Sequence, residues 1–525
     1  MLSRHQHFLP DTGRKALSAV ITSVSSRSCK YCGAVVLACA STCASAITSD
    51  DITFNGYARS GIGASTPGGD QLCFVAAGAP ARYRLGNECN TYAELDLGAK
   101  LFDQNGITFD LDTNVSYETL QIGDNDATFV QLKEMYILAK GLLSDSMPKA
   151  ALWAGKRFYR QHEVHMIDFK YWNITGPGVG IENIDVGLAD FSVAWVRNET
   201  NVFSSLTVTP PTNLTTVSDL FSTDIIPTEI FDFRLTNIDL ADYLSLDIGF
   251  DFGRGQPANR INSPDINNKD RFKRNGWMVT GDLVWSLGDL DRNSFVLQYA
   301  KGAMTGPGVG ASATTGLQPS VLFEGSKMYR VFDHGSILLT ERLDLLYMLG
   351  YTQVDFPNVM QIPAMAMQRG SNTTWITAGI RPAWKWTDWT STALEIGYDQ
   401  VKNVFNSAAI NTGTTTDPTL FTSSKLFNSS LTKITIAQIF QPDFGNNVRP
   451  QIRIFATYAK WKAANGCSQV DKAGTSTTCP AAFEAAIRDA LGLSYDGATS
   501  AQQVFDTFVD KRNGWTFGAQ MEAWW

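Results

Sequence analysis

Leu244-Ser245-Leu246-Asp247-Ile248-Gly249-Phe250-Asp251-Phe252 decides the fold. Every even position is apolar; every odd position is polar or glycine. Side chains along a strand point alternately to opposite faces, so the segment has one greasy face and one face with two carboxylates. The same pattern recurs outward in both directions. Ala93, Leu95, Leu97, Ala99 and Leu101 alternate with Tyr92, Glu94, Asp96, Gly98 and Lys100. Ile107 to Tyr117 alternates with Asp110, Asp112 and Asn114, and Leu394, Ile396 and Tyr398 alternate with Glu395, Gly397 and Asp399. Val448 to Tyr458 alternates with Arg449, Gln451, Arg453, Phe455 and Thr457. Segments of about ten alternating residues between turn residues predict a transmembrane antiparallel β-barrel. A soluble β-sandwich also alternates, but its strands run to about five or six residues. Here many apolar faces end in Trp or Tyr, and the polar faces carry Asp, Glu and Arg.

The charges say which face is wet. Arg453 turned to lipid near the midplane would cost about 2–4 kcal/mol, and Arg59, Arg234 and Arg449 carry the same penalty. A one-residue slip would exchange all faces, so these residues fix the register toward the lumen. With about 27 residues per strand and connection, residues 47–525 accommodate about 18 strands, inside the bacterial range of roughly 8–26. The last segment places Trp515, Phe517, Ala519, Met521, Ala523 and Trp525 on lipid, and Glu522 and Trp524 in the lumen. Two long connections are expected, Gln121 to Asp145 and Ala463 to Asn513, the second with helix-like pieces after Pro480 and Ser500. The two TGPGVG stretches, 175–180 and 305–310, read as turns.

Composition excludes other classes. Charged residues make up 18% of 525, against about 25% in ordinary globular chains. With 30 Phe, 16 Tyr and 13 Trp the chain is too apolar for disorder. No apolar run approaches the 18 or more residues of a spanning helix. A net charge of −8 argues against nucleic acid as a partner. Nor does an enzyme emerge: there is no nucleophile elbow with a Ser/His/Asp set, and Glu163 with Asp168 as a glycosidase pair competes with a simpler channel-wall role. His162 and His165 invite a metal reading, but strand geometry sends them to opposite faces.

Residues 1–46 read as a targeting segment: five bases, one acid, an apolar stretch 34–40 and Ala44-Ser45-Ala46 as a cleavage pattern. A lipoprotein box at Val36–Cys39 is the rival reading. Beyond it, Cys73, Cys89, Cys467 and Cys479 remain. In an exported chain they predict disulfides, and of three pairings the local one, 73–89 and 467–479, is preferred.

With these residues in place, the chain resembles the maltoporins, sugar-specific porins of bacterial outer membranes. The likeness spans nearly all of 52–525. It is carried by NGYARSGIG (55–63), YRLGNECNTYAEL (83–95), WAGKRFYRQHEVHMIDFKYWNITGPGVGIENIDVG (153–187), ALEIGYD (393–399), RIFATYAKW (453–461) and WTFGAQMEAWW (515–525). The resemblance implies a homotrimer of 18-stranded barrels in outer-membrane lipid, with a third loop folded inward as a constriction. It implies passive diffusion of maltose, maltodextrins or other oligosaccharides without a cofactor, and a periplasmic sugar-binding protein as a partner. Tyr57, Tyr92 and Trp524 match the aromatic slide that stacks on sugar rings. Arg59, Arg84, Glu94 and Lys133 match polar-track positions, and Glu163 and Asp168 match acids of the inward loop. Both roles suit pyranose chemistry, whose C–H faces stack on rings and whose hydroxyls bond to ionised groups.

The chain also departs from the family. Asn125 stands where a loop tryptophan is expected. Asp291 or Arg292 stands at a slide position, and Asn447 at another, with Phe444 nearby as a substitute. Gln161 replaces a track arginine, with Arg160 beside it. Lys170 occupies the constriction position, so the narrowest point is expected to be cationic. These departures point to altered selectivity that includes anionic sugars. A general porin, and an outer-membrane lipase or protease, are the competing classes.

Overall fold

The structure is a computed structural model. It describes residues 51–525 apart from 67, 77, 122–127, 144–145, 207–220, 256–273, 287–291, 306–325, 356–360, 363–364, 367–371, 412–419, 446–447 and 463–511. The expected targeting segment, the expected Cys467–Cys479 disulfide, the expected helix-like pieces, Asn125, Asp291 and Asn447 lie outside the described residues.

Eighteen strands form one sheet. In chain order they are β1 (Ile52–Ser65), β2 (Asn90–Gln104), β3 (Ile107–Leu120), β4 (Thr128–Lys140), β5 (Ala151–Val164), β6 (Phe169–Asp185), β7 (Asp190–Leu206), β8 (Phe221–Ala241) and β9 (Leu244–Gly255). Then come β10 (Arg274–Trp285), β11 (Arg292–Gly302), β12 (Lys327–Thr340), β13 (Leu343–Asp355), β14 (Asn372–Thr387), β15 (Thr390–Asn411), β16 (Leu420–Phe440), β17 (Gln451–Lys462) and β18 (Asn513–Trp524). Each pairs antiparallel with the next. β18 returns to β1, with Trp524 opposite Tyr57, which closes the 18-stranded sheet into a barrel. Connections after β2, β8, β12 and β14 take two residues each, whereas 66–89, 256–273, 303–326 and 463–512 are long. One end of the barrel therefore carries tight turns and the other carries long loops.

The faces follow the alternation. Leu95, Leu97, Ile452, Ile454, Phe517 and Met521 are exposed on the outside. Trp384, Trp386 and Trp389 are exposed at a single hairpin of the short-turn end, where aromatic side chains suit a membrane interface. Asp251, Arg234, Glu395, Arg453 and Glu522 are buried inside.

Three expectations need correction. The stretch 121–145 is not one long connection, because β4 lies within it. A bulge at Lys133 hides the strand: Val130 and Leu132 face out before it, Met135 and Ile137 after it, so the period-two pattern changes phase. Residues 175–180 are not a turn either; they belong to β6, where Pro177 pairs with Lys156 and Gly178 with Val196. The last internal strand starts at Gln451, leaving Val448, Arg449 and Pro450 in the preceding turn.

Among the described residues, two segments pack inside the barrel. Residues 70–89, stapled by Cys73–Cys89, place Tyr83 where Gly379 and Gly397 leave room; a Cβ there would meet the ring at 2.1 and 2.2 Å. The Tyr83 hydroxyl bonds to Thr377 at 2.8 Å, and Phe74 stacks on Trp461 at 5.5 Å. The second segment is the β5–β6 join, a short turn at His165–Ile167. The ring of Phe169 packs on Phe332 at 5.5 Å and Trp375 at 5.2 Å. These belong to β12 and β14, so the join reaches across the interior. Tyr171 donates to Asp282 at 2.6 Å. Trp172 donates to Asp251 at 3.2 Å and fills the space above Gly249. Each fully buried large side chain contributes about 1.5–3 kcal/mol. The backbone of Arg84 donates to the carbonyl of Met166 at 3.3 Å and ties the two segments together.

Candidate functional site

The sheet closure assembles the site. Tyr57 on β1 lies opposite Trp524 on β18, and Arg59 lies opposite Tyr92 on β2. The three aromatic residues therefore stand on three adjacent strands, all on the lumen face. Tyr57 and Tyr92 have ring centroids 6.2 Å apart. Trp524 carries the Arg449 guanidinium over its ring at 4.3 Å and meets His165 edge-on at 6.1 Å. Tyr57 is 9% exposed, and its hydroxyl donates to Glu522 at 2.8 Å.

Beside the rings runs an ionised network. Arg59 and Arg84 reach Glu88 at 2.9 and 2.7 Å. Arg84 also reaches Glu522 at 2.9 Å and donates to the Tyr57 hydroxyl at 2.7 Å. Arg449 donates to Glu522 at 2.6 Å, and Arg453 pairs with the same carboxylate. Four guanidiniums thus share two carboxylates. Burial would push the Glu88 carboxyl up, but Arg59 and Arg84 outweigh it and hold it below the usual carboxylate range. Burial, then Arg84 and Arg449, hold the His165 imidazole well below its usual range, so it stays neutral.

The other expected residues divide into groups. Tyr92 donates to Glu94, and Arg59 sits 5.2 Å over the Tyr92 ring. Lys170 pairs with Asp168 at 3.0 Å and lies 3.8 Å from Glu163. Lys133, at its bulge, donates to Gln131 at 2.6 Å. Arg160 does not join this group: it bonds to Asn183, lies 3.7 Å from Glu182, and its carbonyl accepts from Arg234 at 2.6 Å. Gln161 bonds to Asn173 and Thr175 at 2.8 Å. Phe444 is covered in a cluster with Leu85 and Phe455. His162 bonds to Asp282, away from His165 at Trp524. Lys170 is flanked by two carboxylates, so this position is not a lone cation.

Glu88, Glu522, Arg449 and Arg453 were not among the site residues expected from sequence. Alternation had put Glu522 and both arginines in the lumen, and that parity was the available signal. Their convergence depends on barrel closure.

A closed 18-stranded barrel with a greasy exterior and an ionised interior defines a multi-pass β-barrel channel of the bacterial outer membrane. The LamB porin family matches residues 52–525, and the chain belongs to that family. Among solved structures it is similar to OccAB2 of Acinetobacter baumannii, at 10% identity over 91% of this chain and 98% of that one, with a TM-score of 0.42. OprD of Pseudomonas aeruginosa has 8% identity over 90% and 93%, with a TM-score of 0.39. OmpT of Vibrio cholerae, solved in a trimer form, has 11% identity over 90% and 99%, with a TM-score of 0.34.

Proposed function

We propose that this porin passes neutral oligosaccharides, maltodextrins among them, by passive diffusion, and works as a homotrimer. One observation carries the reading: Tyr57, Tyr92 and Trp524 stand on adjacent strands beside four arginines and two glutamates. Rings offer stacking surface to the apolar faces of a sugar, and ionised groups offer strong hydrogen bonds to its hydroxyls. The β5–β6 join narrows the path in this reading, with Lys170, Asp168 and Glu163 at its edge. Since Lys170 lies near two carboxylates, neutral sugars are favoured over anionic ones.

The test is ion current through the purified channel in planar bilayers, titrated with maltotriose and separately with a sugar acid. Maltotriose is expected to block in a saturable way and more tightly than the acid. Tyr57→Ala and Trp524→Ala are each expected to weaken block about 2–10-fold, the equivalent of roughly 0.5–1.5 kcal/mol per aromatic contact. A current indifferent to every saccharide would make this a general porin.

A further inference from the structure

We propose that the lumen face of β2, β3 and β4 holds a calcium site made of the carboxylates of Asp96, Asp112 and Glu134 and the amide oxygen of Asn114. The ligand oxygens of the three acids all lie within 4.8 Å of one another. Two oxygens bound to one Ca²⁺ at about 2.4 Å can be no more than about 4.8 Å apart, so the spread suits a single ion. Like charges held this close repel, and a divalent cation relieves the repulsion.

The register explains how they meet. Asn114 on β3 lies opposite Asp96 on β2 and opposite Glu134 on β4, and Asp112 lies two residues along the same face. Glu134 reaches that face because of the Lys133 bulge. Val130 and Leu132 face lipid, so without the extra residue the same parity would send Glu134 outward as well. Bulges of this kind re-aim a side chain. The Phe158 backbone N–H then fixes one Glu134 oxygen at 2.9 Å.

An independent observation points to a ligand. Asn114 is 4% exposed, and its Oδ1 is buried with no hydrogen-bond partner. Leaving a buried carbonyl oxygen unsatisfied is costly. Its Nδ2 donates toward Glu94 at 3.5 Å, and Glu94 lies on the Ser116 side of Asn114. Nδ2 and Oδ1 diverge on the planar amide, so Oδ1 lies away from Glu94, on the Asp112 side of the face. Carboxylates plus an amide oxygen, with no nitrogen or sulfur donor, form a set for a hard cation such as Ca²⁺, not for zinc. The site lies four residues along β2 from Tyr92, toward the short-turn end, and does not depend on the sugar reading.

The test uses the full chain, purified and folded in detergent, with Tb³⁺ as probe. Tyr136 lies opposite Asp112 and is buried, so it can sensitise a bound lanthanide. Excitation of the aromatic residues is expected to give saturable Tb³⁺ emission. Ca²⁺ should displace the probe with a constant on the order of 10⁻⁴–10⁻³ M, as in extracellular calcium sites. Asp112→Asn, Glu134→Gln and Asn114→Ala are each expected to weaken Tb³⁺ binding about tenfold or more, by analogy with the loss seen when a metal's supporting groups are removed. Asp388→Asn, in an exposed turn, is expected to leave it unchanged. The three site variants give independent readings, so failure of one to fold leaves the test intact. Emission that does not saturate, or that folded Asp112→Asn and Glu134→Gln proteins retain at full affinity, overturns the proposal.

Discussion

Glu522 accepts hydrogen bonds from Tyr57, Arg84, Arg449 and Arg453 in a wall almost closed to solvent. Its alternation in WTFGAQMEAWW placed it in the lumen. Its partners stand 438 residues away at Arg84 and 73 away at Arg449, beyond any local pattern. Breaking a buried ion pair from one side costs about 3–5 kcal/mol, because the other charge is left uncompensated. Glu522→Gln removes the carboxylate that Arg449 and Arg453 share while Arg84 keeps Glu88, so it is expected to lower resistance to urea unfolding by an amount of that order. A loss below about 1 kcal/mol would mean that the arginines find other partners. The lumen positions of Tyr57, Tyr92 and Trp524 were legible for the opposite reason: a tyrosine or tryptophan on the polar face of an alternating strand stands out without any tertiary knowledge.

At the scale of elements, the β5–β6 join shows what the pattern could not reveal. No local pattern assigns partners to Phe169, Tyr171 and Trp172. In the structure they reach distant walls through Phe332, Asp282 and Gly249. Gly249 sits in the alternating segment that decided the fold, where glycine reads only as a small lumen residue. A Cβ built on it falls 1.9 Å from the Trp172 ring. Gly249→Leu is therefore expected to displace the join while leaving the barrel folded. Heat-modifiable migration should persist, while single-channel conductance should change. Unchanged conductance would indicate that Trp172 has room to shift. The β4 strand went unread for a related reason. A single bulge at Lys133 reverses the parity that makes strands visible in sequence, and the same bulge turns Glu134 toward the lumen.

At the scale of the whole molecule, the barrel interior is held by ion pairs whose stability depends on pH. The Glu88 carboxyl is held below its ordinary value by Arg59 and Arg84 against the effect of burial. A group with a depressed folded pKa contributes stability above its unfolded value, about 4.3 for Glu, and loses it as pH falls through the folded value. The excess stability of the natural chain over Glu88→Gln is expected to hold from about pH 5 to 8 and shrink below about pH 4, measured by urea unfolding at each pH. A gap independent of pH would remove Glu88 from that account.

The sequence by itself determined the barrel, its inside and outside, its strand number to within a few, and which rings and charges face water. All of these follow from period-two alternation and the penalty for placing arginine in lipid, which act within a single strand. Only the tertiary structure decided which wet-facing charges meet, because closing β18 onto β1 brings together residues from opposite ends of the chain. It also decided that residues 70–89 and the β5–β6 join pack into the interior, since their anchors include niches in strands far along the sequence, left open by single glycines.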